Sequence, residues 1–178
     1  MYRKVLEQRP IPESLRNTTL FGLAQMLVAT EQYQASLDAL KEWFALVDAP
    51  NPGAVMLLGQ VHYQLGNHSE ARTAIENAVR SAEDRKESVP ENWYLMLRAI
   101  SYAQKDYVAL SSVLQQLLRW YPKREYWIQL SAVYGELGDE ERQQLLSYVE
   151  ARLGHTYDLK NIFDLLRYLI QNPAVPPR

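Results

Sequence analysis

A short polar turn recurs along this chain at almost constant intervals. Thr30-Glu31-Gln32, Leu65-Gly66-Asn67, Gln104-Lys105-Asp106 and Leu137-Gly138-Asp139 each interrupt a stretch patterned for helix. With Glu31, Gly66, Lys105 and Gly138 taken as equivalent, successive turns lie 35, 39 and 33 residues apart. A unit of that length cannot bury its apolar side alone. Copies of it must stack, and the core is built between neighbours.

The stretches between turns read as helices. Nine prolines, Pro10, Pro12, Pro50, Pro52, Pro90, Pro122, Pro173, Pro176 and Pro177, gather at the junctions. Proline lacks an amide donor and clashes with the preceding helical turn, so Pro-free stretches are where helices can run. Within them apolar residues recur at three and four: Leu20, Leu23, Ala24 and Leu27 form one stripe, and Leu37, Leu40 and Phe44 begin the next. No alternating β-branched run is bounded by turn residues, so no strand is predicted. Gly66 and Gly138 suit the positive φ of a helix C-terminus, and nearby Asn, Asp or Ser can cap the helix that follows. The chain is predicted to be all α.

The unit Val55 to Arg80 resembles the tetratricopeptide repeat. Leu58 and Gly59 occupy its Leu-small pair, Tyr63 its aromatic position, and Ala71, Ile75 and Ala78 the small, large, small positions of the second helix. Small residues let two antiparallel helices approach, and large ones fill the gap to the next hairpin. Trp127, Leu130, Ser131, Tyr134 and Gly138 match the first-helix pattern again, whereas Gln143 and Gln144 stand where Ala belongs in the partner helix. The third unit has Tyr94, Leu97, Tyr102 and closing Pro122, with Arg98 at a small position and Leu110 in place of Ala. The resemblance implies a right-handed α-α superhelix of about four hairpins. It is expected to form a single domain over residues 1–178, with repeats near 16–50, 53–89, 91–122 and 124–154 and partial repeats at 1–10 and 158–172. The opening residues look like the end of a second helix, and Ile162, Leu165, Leu166 and Leu169 like an unpaired first helix, so the chain is predicted to be a piece of a longer array.

A narrower likeness is carried by Ile11 to Arg16, Phe21 to Gln25, Tyr33 to Phe44, Glu91 to Ala99 and Tyr121 to Gly138. In order and wording these resemble the tetratricopeptide proteins that accompany TonB, ExbB and ExbD components in gammaproteobacteria. That resemblance implies a periplasmic accessory of energy-dependent uptake, in only indirect contact with the membrane. Two other settings stay open: an outer-membrane assembly or pilus lipoprotein scaffold, and a regulatory segment of a larger enzyme.

The residues argue against chemistry of their own. Lys and Arg number 19 against 21 Asp and Glu, a charge of −2, which removes the electrostatic footprint of a dedicated nucleic-acid binder. Zero Cys excludes thiolate zinc sites, Cys nucleophiles and disulfides. His62, His68 and His155 have no zinc-motif spacing, and the turn around Gly66 has one glycine where a phosphate loop needs several. No apolar run approaches the roughly 20 residues of a membrane span, and the N-terminal residues lack a secretory apolar segment. Arg119-Trp120-Tyr121-Pro122-Lys123-Arg124 mixes bases and aromatics. It is read as a hairpin junction rather than a single-strand nucleic-acid platform, because basic residues complement a helix C-terminus. Ser81 to Glu87 is read as a solvated extension of the second repeat's last helix, which accounts for the 39-residue spacing. No enzyme, cofactor or metal is predicted.

What remains is surface. In the family, residues of the first helices line an inner face that contacts peptides. Position by position this implies Phe21, Gln25 and Val28 in the first unit, Met56, Gln60 and Tyr63 in the second, Leu95, Ala99 and Tyr102 in the third, then Ile128 and Ala132. Met56, Tyr63 and Tyr102 are the expected anchors, with Gln60 reading backbone amides. The Lys, Asn and Arg residues of a carboxylate clamp are absent from this set. A protein or peptide partner, not a nucleic acid, is expected.

Overall fold

The computed structural model describes residues 12–140, 142–144 and 147. All regular structure among them is α-helical: α1 (Glu13–Ala29), α2 (Tyr33–Phe44), α3 (Pro52–Gln64), α4 (His68–Asp84), α5 (Glu91–Ala103), α6 (Tyr107–Trp120) and α7 (Arg124–Glu136), with helix resuming at Glu140. The partial repeats expected at 1–10 and 158–172, and His155, lie outside the described residues. Two compact units are present, Met1–Trp93 and Tyr94–Arg178, dividing inside α5.

One device ends helix after helix. The N–H of Gln32, Asn67, Glu87, Asp106 and Asp139 each reach back five residues, to the carbonyls of Leu27, His62, Ala82, Ser101 and Tyr134. The residue before each of these bonds three back and has positive φ: Glu31 (58°), Gly66 (77°), Lys86 (58°), Lys105 (53°) and Gly138 (70°). This is the Schellman arrangement, which satisfies carbonyls that the helix leaves without partners. Four of the five are the positions that the repeat spacing marks as equivalent. The fifth corrects the reading of Ser81 to Glu87: the helix stops at Asp84, Lys86 turns the chain, and Ala82 is buried.

Capping divides the polar residues at helix starts. Asp106 accepts the Ala109 amide at 3.0 Å, Asp139 that of Arg142 at 3.2 Å, and Asn51 that of Ala54 at 2.8 Å. Asn67 makes no cap; its amide lies 3.4 Å from His62 Nδ1 instead.

In the first unit α1 packs on α2, α2 on α3, and α3 on α4. Leu23, Ala24, Leu27, Leu37, Leu40 and Val61 form one buried cluster. Leu20, Trp43 and Ala54 form a second, where Trp43 rather than Phe44 carries the core and stacks on Phe21 with centroids 4.9 Å apart. Ser36 is buried because its hydroxyl donates to the Ala24 carbonyl at 2.9 Å across the hairpin. An Arg16–Glu42 ion pair joins α1 to α2 at the surface.

The α3–α4 contact turns on Gly59. A Cβ placed there would lie 2.5 Å from Ile75 Cγ1 and 3.3 Å from the Ala71 carbonyl oxygen. Ala71, Ile75 and Ala78 are wholly buried, as the small, large, small pattern requires.

In the second unit α6 packs on α7. Leu110, the residue in place of Ala, is buried with Leu114, Leu117 and Leu118. Arg98 is half-buried: its guanidinium donates to Gln129 Oε1 at 3.1 Å and lies 5.9 Å from the Tyr126 ring centroid. A large cation at a small-residue position is thus accommodated by a side-chain amide and a ring face. Gln143 packs its amide over Gly135, so a glycine on α7 offsets the missing Ala of the next helix.

Candidate functional site

Helical spacing places the expected groove residues on single faces. Phe21, Gln25 and Val28 follow one another by four and three on α1, as do Met56, Gln60 and Tyr63 on α3, and Leu95, Ala99 and Tyr102 on α5. Ile128 and Ala132 are one turn apart on α7.

Burial distinguishes these residues. In the first unit, Phe21 and Val28 are half-buried against the core clusters, leaving Gln25 as the solvated member of its trio. Met56 is only 7% exposed and has little area left for a partner. Gln60 and Tyr63 are half-buried, and Tyr63 tilts against the His68 ring at 5.7 Å. In the second unit, Leu95 and Ala99 are half-buried and Ala132 is exposed, while Tyr102 and Ile128 are 71% and 47% exposed. Each unit therefore offers a face of mixed polar and aromatic character, most open at Gln25, Tyr102 and Ile128. Val108, 65% exposed at the start of α6, is a further open apolar residue that the sequence pattern does not mark.

The titratable groups form no catalytic constellation among the described residues. No group of three or more His, Asp or Glu there could hold a metal ion. The Tyr134 pKa is raised by burial; the neighbouring Arg142 and a 2.9 Å hydrogen bond from Gln115 Nε2 oppose the rise. This phenol joins α7 to α6 and has a structural explanation. No described helix is long and apolar enough to cross a membrane.

Helical hairpins in tandem, with one turn repeated along the chain and small residues between α3 and α4, define the class. Residues 52–85, which hold the α3–α4 hairpin with Gly59 and Ile75, match the family model of the tetratricopeptide repeat. Over 130 residues the chain is 27% identical to Superkiller complex protein 3 of Homo sapiens. That alignment covers 72% of this chain and 8% of the human protein, so the chain spans less than a tenth of its relative's length.

Proposed function

We propose that this chain is a non-enzymatic protein-interaction scaffold that presents the first-helix faces of its hairpins to a protein or peptide partner. The observation that carries this is the tetratricopeptide match over residues 52–85, the class of repeat that mediates protein contacts. The human relative is named as part of a complex, which accords with a scaffold. Tyr102 and Ile128 supply the open apolar contacts and Gln25 and Gln60 the hydrogen bonds; aromatic side chains contribute most at such surfaces because they desolvate large area at modest entropy cost.

The finer reading, a periplasmic accessory of a TonB-dependent uptake system, rests on the resemblance carried by Ile11–Arg16, Phe21–Gln25, Tyr33–Phe44, Glu91–Ala99 and Tyr121–Gly138. The test is titration of the chain with the periplasmic regions of TonB and ExbD. Saturable binding, weakened tenfold or more by Tyr63→Ala with Tyr102→Ala at unchanged helicity, would support it. No binding removes the TonB assignment. The broader scaffold reading is tested by site-specific photo-crosslinking in cells at Gln25 and Tyr102. Adducts there and not at exposed Glu76 on α4 are expected; absence of adducts at both overturns it.

A further inference from the structure

The end of α6 and the start of α7 meet in a corner that is basic, aromatic and open. Trp120 is 53% exposed, off the stripe of Leu110, Leu114, Leu117 and Leu118 that buries α6. The Arg119 guanidinium lies 4.8 Å from its ring centroid, and the Lys123 ammonium 5.8 Å from that of Tyr126. Arg119, Lys123 and Arg124 are all exposed. From Arg119 to Glu125 the sequence sets three bases, Arg119, Lys123 and Arg124, beside one acid, Glu125, whereas acids outnumber bases over residues 12–93.

Local stability accounts for only part of this. Arg119 in the last turn of α6 complements the helix dipole, as a cation there should. Lys123 and Arg124 do the reverse: they are the N-cap and first residue of α7, where the helix carries partial positive charge, and Lys123 offers no side-chain cap. Only Glu125 in that turn has the favoured sign. Trp120 keeps about half its surface in water, so folding uses only part of its apolar area. Residues that work against local preference are where a recognition role is expected, and Trp and Arg are among the residue types enriched at protein hot spots.

We infer that this corner docks an acidic protein segment, rich in Asp and Glu and carrying an apolar side chain. The carboxylates would pair with Arg119, Lys123 and Arg124, and the apolar group would cover Trp120. Charge complementarity selects the occupant, and the net negative charge of the whole chain disfavours a long polyanion such as nucleic acid relative to a short acidic peptide. The inference rests on the scaffold reading and adds a second contact outside the first-helix faces.

The test uses the full chain and a short fluorescein-labelled peptide of Asp and Glu with one central Phe. An Asn/Gln counterpart and a single-stranded oligothymidine of equal length serve as comparisons. Saturable binding of the acidic peptide is expected, several-fold weaker at raised salt. It should fall tenfold or more on Trp120→Ala or on Arg119→Glu with Arg124→Glu, at unchanged circular dichroism. Since Arg119→Glu sets an acid at a helix C-terminus, Arg119→Gln with Arg124→Gln is the milder version and should still lose several-fold. Equal binding of the Asn/Gln peptide, tighter binding of the oligonucleotide, or insensitivity to these substitutions overturns the inference. So does salt-sensitive self-association in sedimentation that the same substitutions abolish, because the occupant would then be a second copy. Crosslinking at Gln25 and Tyr102 that survives such a result leaves the scaffold reading standing; its loss removes both.

Discussion

Replacement of Gly59 by Ala tests whether α3 and α4 are held at the separation seen. Two effects oppose each other. Glycine inside a helix costs about 1 kcal/mol relative to alanine, so on propensity alone the substitution should stabilise. The new Cβ would, however, sit 2.5 Å from Ile75 Cγ1, with backbone atoms of Ala71 and Ile75 at 3.3 Å. Ile75 is wholly buried, so relief requires an off-rotamer side chain or a shift of α4. Overpacking of this kind costs about 1–3 kcal/mol. The net expectation is a loss of about 1 kcal/mol, or about 2–4 °C in Tm for a chain of this size, followed by circular dichroism during heating. A double-mutant cycle sharpens the test. Ile75→Ala alone should cost about 2–5 kcal/mol, but with Ala at 59 the added methyl enters the vacated space. The pair should then lose less than the two singles together by about 1 kcal/mol or more. A Gly59→Ala chain as stable as the parent, with no coupling to residue 75, would refute close approach as the reason for glycine.

Glu31→Gly, Lys86→Gly and Lys105→Gly should each raise stability by about 0.5–1 kcal/mol in urea unfolding, because side chains are strained at their positive φ, whereas Gly66→Ala should lower it by about 1 kcal/mol. Asp106→Ala should cost about 1 kcal/mol as a lost cap, and Asn67→Ala close to nothing; equal losses would contradict the capping seen. Tyr134 predicts alkaline instability. Burial raises its folded pKa above the ordinary 10.0, so its contribution is intact below about pH 10 and declines as pH rises past that point toward the folded pKa. Tyr134→Phe should flatten that part of the decline, while costing about 1 kcal/mol at neutral pH through the lost Gln115 bond.

Most of the architecture was legible before any coordinates. Turn spacing located four of the five positive-φ residues, because a helix of fixed rise must be turned back at fixed intervals to stack its copies. The leucine stripes of α1 and α2 and the small residues facing Ile75 were readable for the same reason: they follow from helical period and contact distance, which are local. The sequence does not mark Lys86, because lysine is a poor signal of positive φ, and the backbone bonds from Lys86 and Glu87 that close the turn are visible only in the fold. The burial of Trp43 ahead of Phe44 was decided by packing of α1 and α3 around them, not by period. The functional surface was least legible. Helical spacing grouped Met56 with Tyr63, and Tyr102 with Leu95, as one-face residues. Which of them stays open depends on what neighbouring helices cover, and that left Met56 in the core and Tyr102 in water. Likewise, the string from Arg119 to Arg124 determined which cations adjoin which rings. Only the tertiary structure decided that Leu117 and Leu118 would turn inward and Trp120 outward, since burial is a property of the assembled neighbours rather than of the segment.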